Sequence, residues 1–317
     1  MQVFSGSGAL VRKLARPVLT IGNFDGLHLG HRAIMQTVIG RARTLNGEAV
    51  VYTFDPHPRK VLRPHDAPAL LTTQDQKLEG LASFGVDVTI VEPFDRAFAS
   101  IAPEQFVREY VHERIGPLEV YVGYDFHFGK DREGSMRLLT ELGPHLGFSV
   151  TIIPEVTVAG QDVNSTRIRE LVFAGDVADA ARLLGRPYTV RGRVIKGEQR
   201  GRAMGFPTAN LEPENEVLPR SGVYAGRVRL VYADPSKEPE LHDAVVNVGR
   251  RPTFDTGDRV LAEAHLLDFE GDLYGKRVEL SFEARLRDER KFPDAEALRV
   301  QIARDAEEAR RRLESSP

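Results

Sequence analysis

Short apolar runs alternate with amphipathic stretches through the first half of the chain. Five runs rich in β-branched residues recur roughly every 30 residues, which is the period of a βαβ unit. These runs are residues 17–22, 48–54, 86–92, 118–123 and 148–154. Because they are almost continuously apolar, they predict a parallel sheet with helices on both faces, as in Rossmann-like α/β domains.

Helical patterns separate these runs. They cover residues 29–45, 73–85, 103–115 and 136–147. Parallel sheets connected in this way bind ligands at the carboxyl ends of their strands. The residues that directly follow each predicted strand are therefore the first candidates for a binding site.

The pattern changes near residue 186, where strict alternation of apolar and polar residues begins. It predicts antiparallel strands. The strands are residues 188–197, 223–232, 243–249, 260–269 and 277–286. Five or six such strands make a small β-barrel. We therefore predict two domains, 1–185 and 186–317.

One long helix is predicted after the barrel, over residues 294–314. Its apolar stripe is expected to face the barrel. The stripe runs through Ala297, Leu298, Ile302 and Ala306.

Composition adds few constraints. The chain has 317 residues, with 43 Lys and Arg against 46 Asp and Glu, so no global charge indicates a nucleic-acid or membrane partner. The absence of cysteine excludes disulfides, thiolate metal sites and cysteine nucleophiles. The N-terminal stretch lacks an apolar signal region, and no run approaches the roughly 18 apolar residues of a membrane helix. These features predict a soluble cytoplasmic protein; they do not indicate an oligomeric state.

The sequence GNFDGLHLGH follows the first predicted strand, at residues 22–31. Gly22 and Gly26 allow unusual dihedral angles and close approach of a ligand to the backbone. His28 and His31 lie on one side of the first helical turn, where free N–H groups favour an anion. A phosphate site is one interpretation. Capping or surface histidines are another, whereas zinc lacks an evident third ligand here.

The stretch NSTRIRELV, at residues 164–172, provides a second anion-binding pattern. Ser165 and Thr166 can cap a helix or hold phosphate oxygens, and Arg167 and Arg169 can neutralise a polyphosphate. An ordinary helix cap is the alternative.

Together the two stretches resemble the HxGH and S-T-x-x-R signatures of the nucleotidyltransferase superfamily. Asn164 departs from the Ser that is common there, but Asn also caps helices. The resemblance implies that His28 and His31 are catalytic and stabilise charge on the α-phosphate of ATP. It also implies a set of nucleotide-binding residues. These are Gly22, Asn23, Phe24, Asp25, Gly26, Ser165, Thr166 and Arg167.

Two further stretches, TFDPHP at 53–58 and VGYDFHFGKDREG at 122–134, also follow predicted strands. They resemble bacterial bifunctional riboflavin kinase/FAD synthetases. The resemblance implies that the second stretch binds nucleotide through Asp125. It assigns the flavin side of the adenylyltransferase site to Asp55, Pro56, His57 and Pro58. Alternatively, Phe126 and Phe128 are core residues and the prolines only terminate a strand.

Residues 192–211, GRVIKGEQRGRAMGFPTANL, form a basic glycine-rich stretch without P-loop spacing. Its end resembles the PTAN motif of riboflavin kinases, which implies that Thr208 and Asn210 bind Mg²⁺, an ion that prefers oxygen ligands. The implied nucleotide-binding residues of the kinase are Lys196, Gly197, Arg202, Gly205, Pro207, Thr208 and Asn210.

Later segments resemble riboflavin kinases in the same order, at residues 218–228, 245–254, 262–282 and 286–292. The resemblance implies that Glu263 is the catalytic base and that Arg287 lies near the flavin. Ala264 stands where Thr is usual.

The implied function is bifunctional. The barrel would phosphorylate riboflavin with MgATP to give FMN, and the α/β domain would transfer AMP from ATP to FMN to give FAD and pyrophosphate. A riboflavin kinase with an inactive first half is one alternative. An RNA-binding barrel is another, although the chain has no Trp and its basic cluster lies on a glycine-rich loop.

Overall fold

The computed structural model describes residues 1–129, 134–196, 206–231, 240–253 and 257–314. The chain forms two compact units. The first contains Met1–Ala69 and Gln74–Val163, and the second contains Leu70–Thr73 and Asn164–Pro317.

The first unit is built on a six-stranded parallel sheet in the order β1-β4-β3-β2-β5-β8. The strands of this unit, with two short hairpins, are β1 Gln2–Ser5, β2 Val18–Ile21, β3 Ala49–Asp55, β4 Val88–Pro93, β5 Glu119–Gly123, β6 His127–Phe128, β7 Gly134–Ser135, β8 Ser149–Ile153, β9 Thr157–Val158 and β10 Gln161–Asp162. All five predicted strands are present, which confirms the parallel sheet. The edge strand β1 was not predicted, because it is short and mostly exposed.

Helices cover both faces of this sheet. They are α1 Leu29–Thr44, α2 Pro58–Leu62, α3 Gln74–Phe84, α4 Arg96–Ala99, α5 Pro103–Gln105 and α6 Met136–His145. The helix predicted over 103–115 instead consists of α5 followed by a π-helix over Phe106–Glu113. Its wider turn still buries Phe106, Val107 and Val111 in the core.

The strand order reverses at β2, because β3 pairs with one edge of β2 and β5 with the other. Such a reversal opens a crevice at the carboxyl ends of the strands. The turn after β2 and the segments after β3 and β5 therefore meet at one edge of the sheet.

The second unit begins with two helices, α7 Ser165–Ala174 and α8 Val177–Leu184, and continues as a closed antiparallel barrel in the order β11-β12-β15-β14-β13-β16. The strands are β11 Tyr188–Ile195, β12 Ala209–Pro213, β13 Gly222–Leu230, β14 Leu241–Thr253, β15 Gly257–Leu266 and β16 Arg277–Arg287. The predicted barrel and its terminal helix are confirmed. Strand β12 was not predicted, because it begins within the PTAN motif and ends at a proline.

The terminal helix α9, Ala295–Glu314, packs through its last turns. Ala306, Ala309 and Leu313 are buried against barrel residues such as Val223 and Val245. The apolar stripe predicted along the first turns is therefore confirmed only at its last position. Ala297, Leu298 and Ile302 are only half-buried, whereas Ala306 belongs to the core.

Residues 70–73 are packed into the second unit although they precede α3 in the chain. Leu71 is fully buried, and its carbonyl accepts hydrogen bonds from the Tyr188 hydroxyl at 3.1 Å and from Asn215 Nδ2 at 3.0 Å. The Leu70 N–H donates to Glu216 Oε2 at 2.9 Å. These bonds satisfy backbone groups that burial would otherwise leave unpaired.

The packing boundary therefore lies between Val163 and Asn164, and α7 and α8 pack with the barrel unit. The functional boundary near residue 186 stays a prediction. Within the part of the chain that the structure describes, no helix combines the length and apolarity required to cross a membrane.

Candidate active sites

The turn after β2 has an unusual backbone. Phe24 and Leu27 adopt φ values of 51° and 46°, and Gly26 adopts 83°. Both non-glycine side chains are buried, so packing holds conformations that cost about 1–3 kcal/mol each. At Gly22 a Cβ would lie 2.9 Å from the Phe24 ring, so this position requires glycine. Strain held by packing at a strand end is typical of ligand sites.

His28 is the N-cap of α1. Its Nδ1 accepts a hydrogen bond from the His31 backbone N–H at 3.3 Å, and only 5% of the residue is exposed. An Nδ1 that accepts a hydrogen bond places the proton of a neutral imidazole on Nε2. The capping alternative is thus correct for His28.

His31 stacks on His28, with ring centroids 3.6 Å apart, and meets the Phe24 ring edge-on at 5.2 Å. Burial lowers the pKa of His31 well below 6.5, and electrostatic interactions with His28 and Lys77 lower it further. His31 is therefore neutral at pH 7. Its buried Nδ1 has no hydrogen-bond partner among the described residues, so the site offers one unsatisfied nitrogen to a ligand.

Lys77, on α3, interacts with residues of this turn, and the sequence analysis did not name it. It is 7% exposed, and its charge interacts with Asp25, Asp55 and His31. One lysine in an amphipathic helix gives no sequence signal, because lysines usually occupy the solvent face.

The segment after β3 carries the predicted flavin side. The Asp55–Pro56 peptide bond is cis, His57 Nδ1 accepts from the Arg59 N–H at 3.2 Å, and Pro58 opens α2. His57 thus caps a helix. Topology places this segment at the same sheet edge as the β2 turn, but its contact with flavin stays a prediction.

The segment after β5 divides between the core and the surface. Asp125 is exposed, and its carbonyl accepts a hydrogen bond from His127 Nδ1 at 2.8 Å. Phe128 is buried against Phe106, and Phe126 stacks on Phe128 at a centroid distance of 5.5 Å. The core alternative is therefore confirmed for Phe128, whereas the nucleotide role of Asp125 stays a prediction.

In the second unit, the N-terminus of α7 is capped by Asn164. Its Oδ1 accepts from the Arg167 backbone N–H at 2.8 Å. The suggestion that Ser165 and Thr166 cap this helix was wrong, because Asn164 adopts the extended cap conformation and Ser165 is already helical. The expectation that Asn164 serves as a cap is confirmed, and the two hydroxyls are not needed for capping.

Strands β12, β15 and β14 align three polar residues in one row. Asn210 lies opposite Glu263, and Glu263 lies opposite Asn247. Directly opposite residues share a face, with Cβ atoms about 5 Å apart. Asn210 is 5% exposed, and its Oδ1 has no hydrogen-bond partner within the described ranges. The sequence analysis missed Asn247, whose alignment with Glu263 depends on strand register.

The start of the PTAN segment is held by β15. His265 Nδ1 lies 2.9 Å from the Pro207 carbonyl, to which it donates, and the Phe206 ring meets His265 edge-on at 5.3 Å. Thr208 is half-buried. This bond sets where the PTAN segment enters the barrel.

The glycine-rich stretch before it is mostly not described. Lys196 is exposed at the end of β11. The predicted site residues Gly197, Arg202 and Gly205 lie outside the described residues.

Arg287 is engaged by the terminal helix. Its Nε and Nη2 contact the buried carboxylate of Asp305 at 3.0 and 2.7 Å. A flavin contact of Arg287 stays a prediction.

The described residues form no further candidate active site or metal site. A surface depression of about 470 Å³ lies between residues 290–293 and α9, and none of the predicted site residues lines it. No group of three His, Cys, Asp or Glu side chains in the described ranges is arranged to hold a metal.

Comparison with protein families matches both units. A family model for FAD synthetase matches residues 11–167, and a family model for riboflavin kinase matches residues 184–313. A Haemophilus influenzae protein named bifunctional riboflavin kinase/FMN adenylyltransferase is 38% identical over 310 residues, covering 98% of both chains. The chain belongs to the bifunctional riboflavin kinase/FMN adenylyltransferase family. This membership confirms the predicted resemblance.

Other members of the bifunctional riboflavin kinase/FMN adenylyltransferase family are similarly close. The Escherichia coli protein is 38% identical over 293 residues, covering 92% of this chain and 91% of its own. The Bacillus subtilis protein is 35% identical over 304 residues, with 93% and 92% covered. A crystal structure described as a macrolide-efflux protein from Streptococcus pneumoniae matches with a TM-score of 0.86 at 29% identity, covering 97% and 98%. That description applies to the Streptococcus protein; the match indicates a shared fold.

Proposed function

We propose that this chain converts riboflavin to FMN in its second unit and FMN to FAD in its first, using ATP in both reactions. The observation that carries the proposal is the match of both family models, in order, along one chain. Each unit also contains a buried polar atom without a partner among the described residues, His31 Nδ1 in the first and Asn210 Oδ1 in the second.

In the adenylyl transfer, an oxygen of the FMN phosphate attacks the α-phosphorus of ATP. The bond from that phosphorus to the bridging oxygen breaks, and pyrophosphate leaves with the electron pair. His28 Nε2–H donates to an α-phosphate oxygen, and neutral His31 supports it through stacking. Donors fixed before the reaction stabilise the developing charge without a covalent step.

In the kinase reaction, the terminal ribityl hydroxyl attacks the γ-phosphorus of ATP, and ADP leaves. Glu263 accepts the hydroxyl proton as the bond forms. The free Oδ1 of Asn210 and the hydroxyl of Thr208 are hard oxygen ligands, which fit Mg²⁺. When bound, Mg²⁺ would neutralise phosphate charge, and nucleotide oxygens would complete its coordination.

The remaining predicted residues support these roles as proposals. The backbone of Gly22–Gly26, with Asp125, Ser165, Thr166 and Arg167, binds the nucleotide of the adenylyl transfer. Asp55–Pro58 contacts the flavin there. In the kinase reaction, Lys196 and Pro207 contact nucleotide and Arg287 contacts flavin. A cytoplasmic location is proposed from the sequence alone.

Incubation of the protein with riboflavin, ATP and Mg²⁺, followed by chromatography of the flavins, tests the proposal. We expect FMN to appear first and FAD to follow. A second reaction starts from FMN and isolates the adenylyl transfer. Accumulation of FMN without FAD would support the one-site alternative, and no flavin conversion would contradict the proposal.

A further inference from the structure

Lys77 lies beside the histidine turn although it comes from a different element. Its helix α3 packs directly on that turn: a Cβ at Gly80 would collide with the Leu27 side chain. Leu81, one turn beyond Lys77, joins Phe24 and Leu27 in one buried cluster. Lys77 is therefore placed at the turn by close packing of α3.

The Lys77 residue is largely buried. Only 7% of the residue is exposed, and among the described residues it donates no hydrogen bond and joins no ion pair. Lysine is almost never buried in this way unless it is paired, because removing a charge from water is costly. The described residues thus provide no direct counter-ion for this cation.

The groups around Lys77 indicate where a counter-ion binds. Burial lowers its pKa, while the carboxylates of Asp25 and Asp55 oppose this effect and favour the charged form. Asp25 belongs to the turn after β2, Asp55 ends β3, and His31 also interacts with the Lys77 charge. Lys77 therefore interacts electrostatically with both the histidine turn and the proposed flavin segment.

We propose that Lys77 is a phosphate-binding residue of the adenylyl transfer, acting where the FMN phosphate approaches the α-phosphate of ATP. This inference rests on the proposed function of the first unit. Both reacting phosphates are anionic, and a desolvated ammonium that interacts with both binding segments reduces their repulsion and stabilises the charge of the transition state. No bond to Lys77 forms or breaks, and it transfers no proton.

The alternative is a structural lysine that only offsets the charges of Asp25 and Asp55. The two roles predict opposite effects on stability. If Lys77 binds a ligand, its charge has no direct partner in the free protein. Replacement by the similarly shaped, uncharged Met then removes a largely buried charge and maintains or raises the melting temperature. If Lys77 is a structural counter-ion, the same change removes a charge that stabilises Asp25 and Asp55 and lowers the melting temperature.

The experiment compares Lys77→Met with Lys13→Met, the same substitution at an exposed lysine of the same unit. For Lys77→Met we expect kcat/KM for FAD formation from FMN to fall by about 100-fold, and pyrophosphate affinity by about 10-fold. Riboflavin phosphorylation by the same preparation stays within about two-fold. Lys77→Arg, which keeps the charge, regains part of the FAD-forming activity. Lys13→Met behaves as the unaltered protein.

Retained FAD formation with a lowered melting temperature in Lys77→Met would overturn the inference. Should that variant not fold, the ¹⁵N resonance of the Lys77 ammonium in the unaltered protein decides. It is expected to shift on addition of pyrophosphate, and an unchanged resonance at saturation would overturn the inference. Absence of FAD formation by the unaltered protein would instead contradict the proposed function itself.

Discussion

At the scale of single residues, the first site depends on two stacked, buried imidazoles. The hydrogen bond that caps α1 also fixes the His28 tautomer, so one contact serves both the fold and the proposed chemistry. The low pKa of His31 follows from burial and from electrostatic interaction with His28 and Lys77. A neutral His31 acts by hydrogen bonding rather than by net charge.

Reciprocal substitutions should separate the two activities. His31→Ala removes part of the phosphate site, and we expect FAD formation to fall by about 10²–10³-fold while FMN formation remains near normal. Glu263→Gln removes the proposed base, and riboflavin phosphorylation should be lost while FAD is still made from supplied FMN. Each variant serves as the other's folding control in paired kinase and adenylyl-transfer assays. Equal loss of both activities in either variant would contradict two separate sites.

The lowered pKa of His31 predicts a pH-dependent stability. Below about pH 6.5 the unfolded chain binds a proton at this position that the folded chain does not. The stabilisation of the folded state by neutral His31 should therefore be complete above pH 6.5. The free energy of unfolding should then decrease as the pH falls towards the folded-state pKa. Denaturant titrations between pH 5 and 7.5 measure this slope.

His31→Asn is expected to flatten that slope. His65→Asn, which removes an exposed histidine, should keep it, because water reaches that ring in both states. Identical slopes in all three proteins would show that His31 titrates normally.

At the scale of elements, each proposed site lies where a strand ends or where strands pair. Turn geometry and helix capping build the first, and β12–β15–β14 register builds the row of Asn210, Glu263 and Asn247. In α7, the capping residue and the candidate phosphate-binding hydroxyls are also different residues. Its cap is Asn164, which leaves the hydroxyls of Ser165 and Thr166 outside the capping bond.

Removal of this cap should destabilise the protein measurably. Asn164→Ala is expected to lower the free energy of unfolding by about 1 kcal/mol, because the Arg167 N–H loses its acceptor. Thr166→Ala, at the exposed second residue of the helix, should cost much less. Urea denaturation of the two variants makes the comparison. An equal effect would mean that the capping bond is not the source of the stability.

Local periodicity was enough to predict the parallel sheet, the barrel and the main helices. It failed where the structure depends on distant partners. Strand β1 is exposed and exists because β4 provides a parallel partner, and β12 is set by its pairing with β11 and β15. Motif resemblance named His28, His31 and Glu263 as candidates. Lys77 and Asn247 required three-dimensional neighbours, since neither carries a local pattern.

At the scale of the whole molecule, the chain passes between its two compact units three times, because residues 70–73 belong to the second. Leu71 is held there by Tyr188 and Asn215. This short segment comes immediately before α3, which carries Lys77. A truncated protein without the second unit would therefore leave Leu71 without these two hydrogen-bond donors, close to α3.

Weakening this anchor should release the segment. Tyr188→Phe removes the hydroxyl whose single proton is shared between the Leu71 carbonyl at 3.1 Å and the Val217 carbonyl at 2.8 Å. We expect a loss of about 1 kcal/mol of stability and faster amide hydrogen exchange at residues 70–73. Tyr274→Phe removes a half-exposed hydroxyl of the same unit and serves as the control. Unchanged exchange in Tyr188→Phe would show that the other contacts of Leu71 suffice.

The packing of residues 70–73 in the second unit has a consequence for any division of the coding sequence into two genes. A cut after Val163 yields one polypeptide with the whole parallel-sheet unit and another with the barrel, yet the first still carries residues 70–73, whose Leu71 and Thr72 are buried. Two such fragments, expressed from separate genes, could still form the hydrogen bonds that join residues 70–73 to the second unit. Fusion of the two coding sequences makes that encounter intramolecular, so one transcript supplies both partners in equal number.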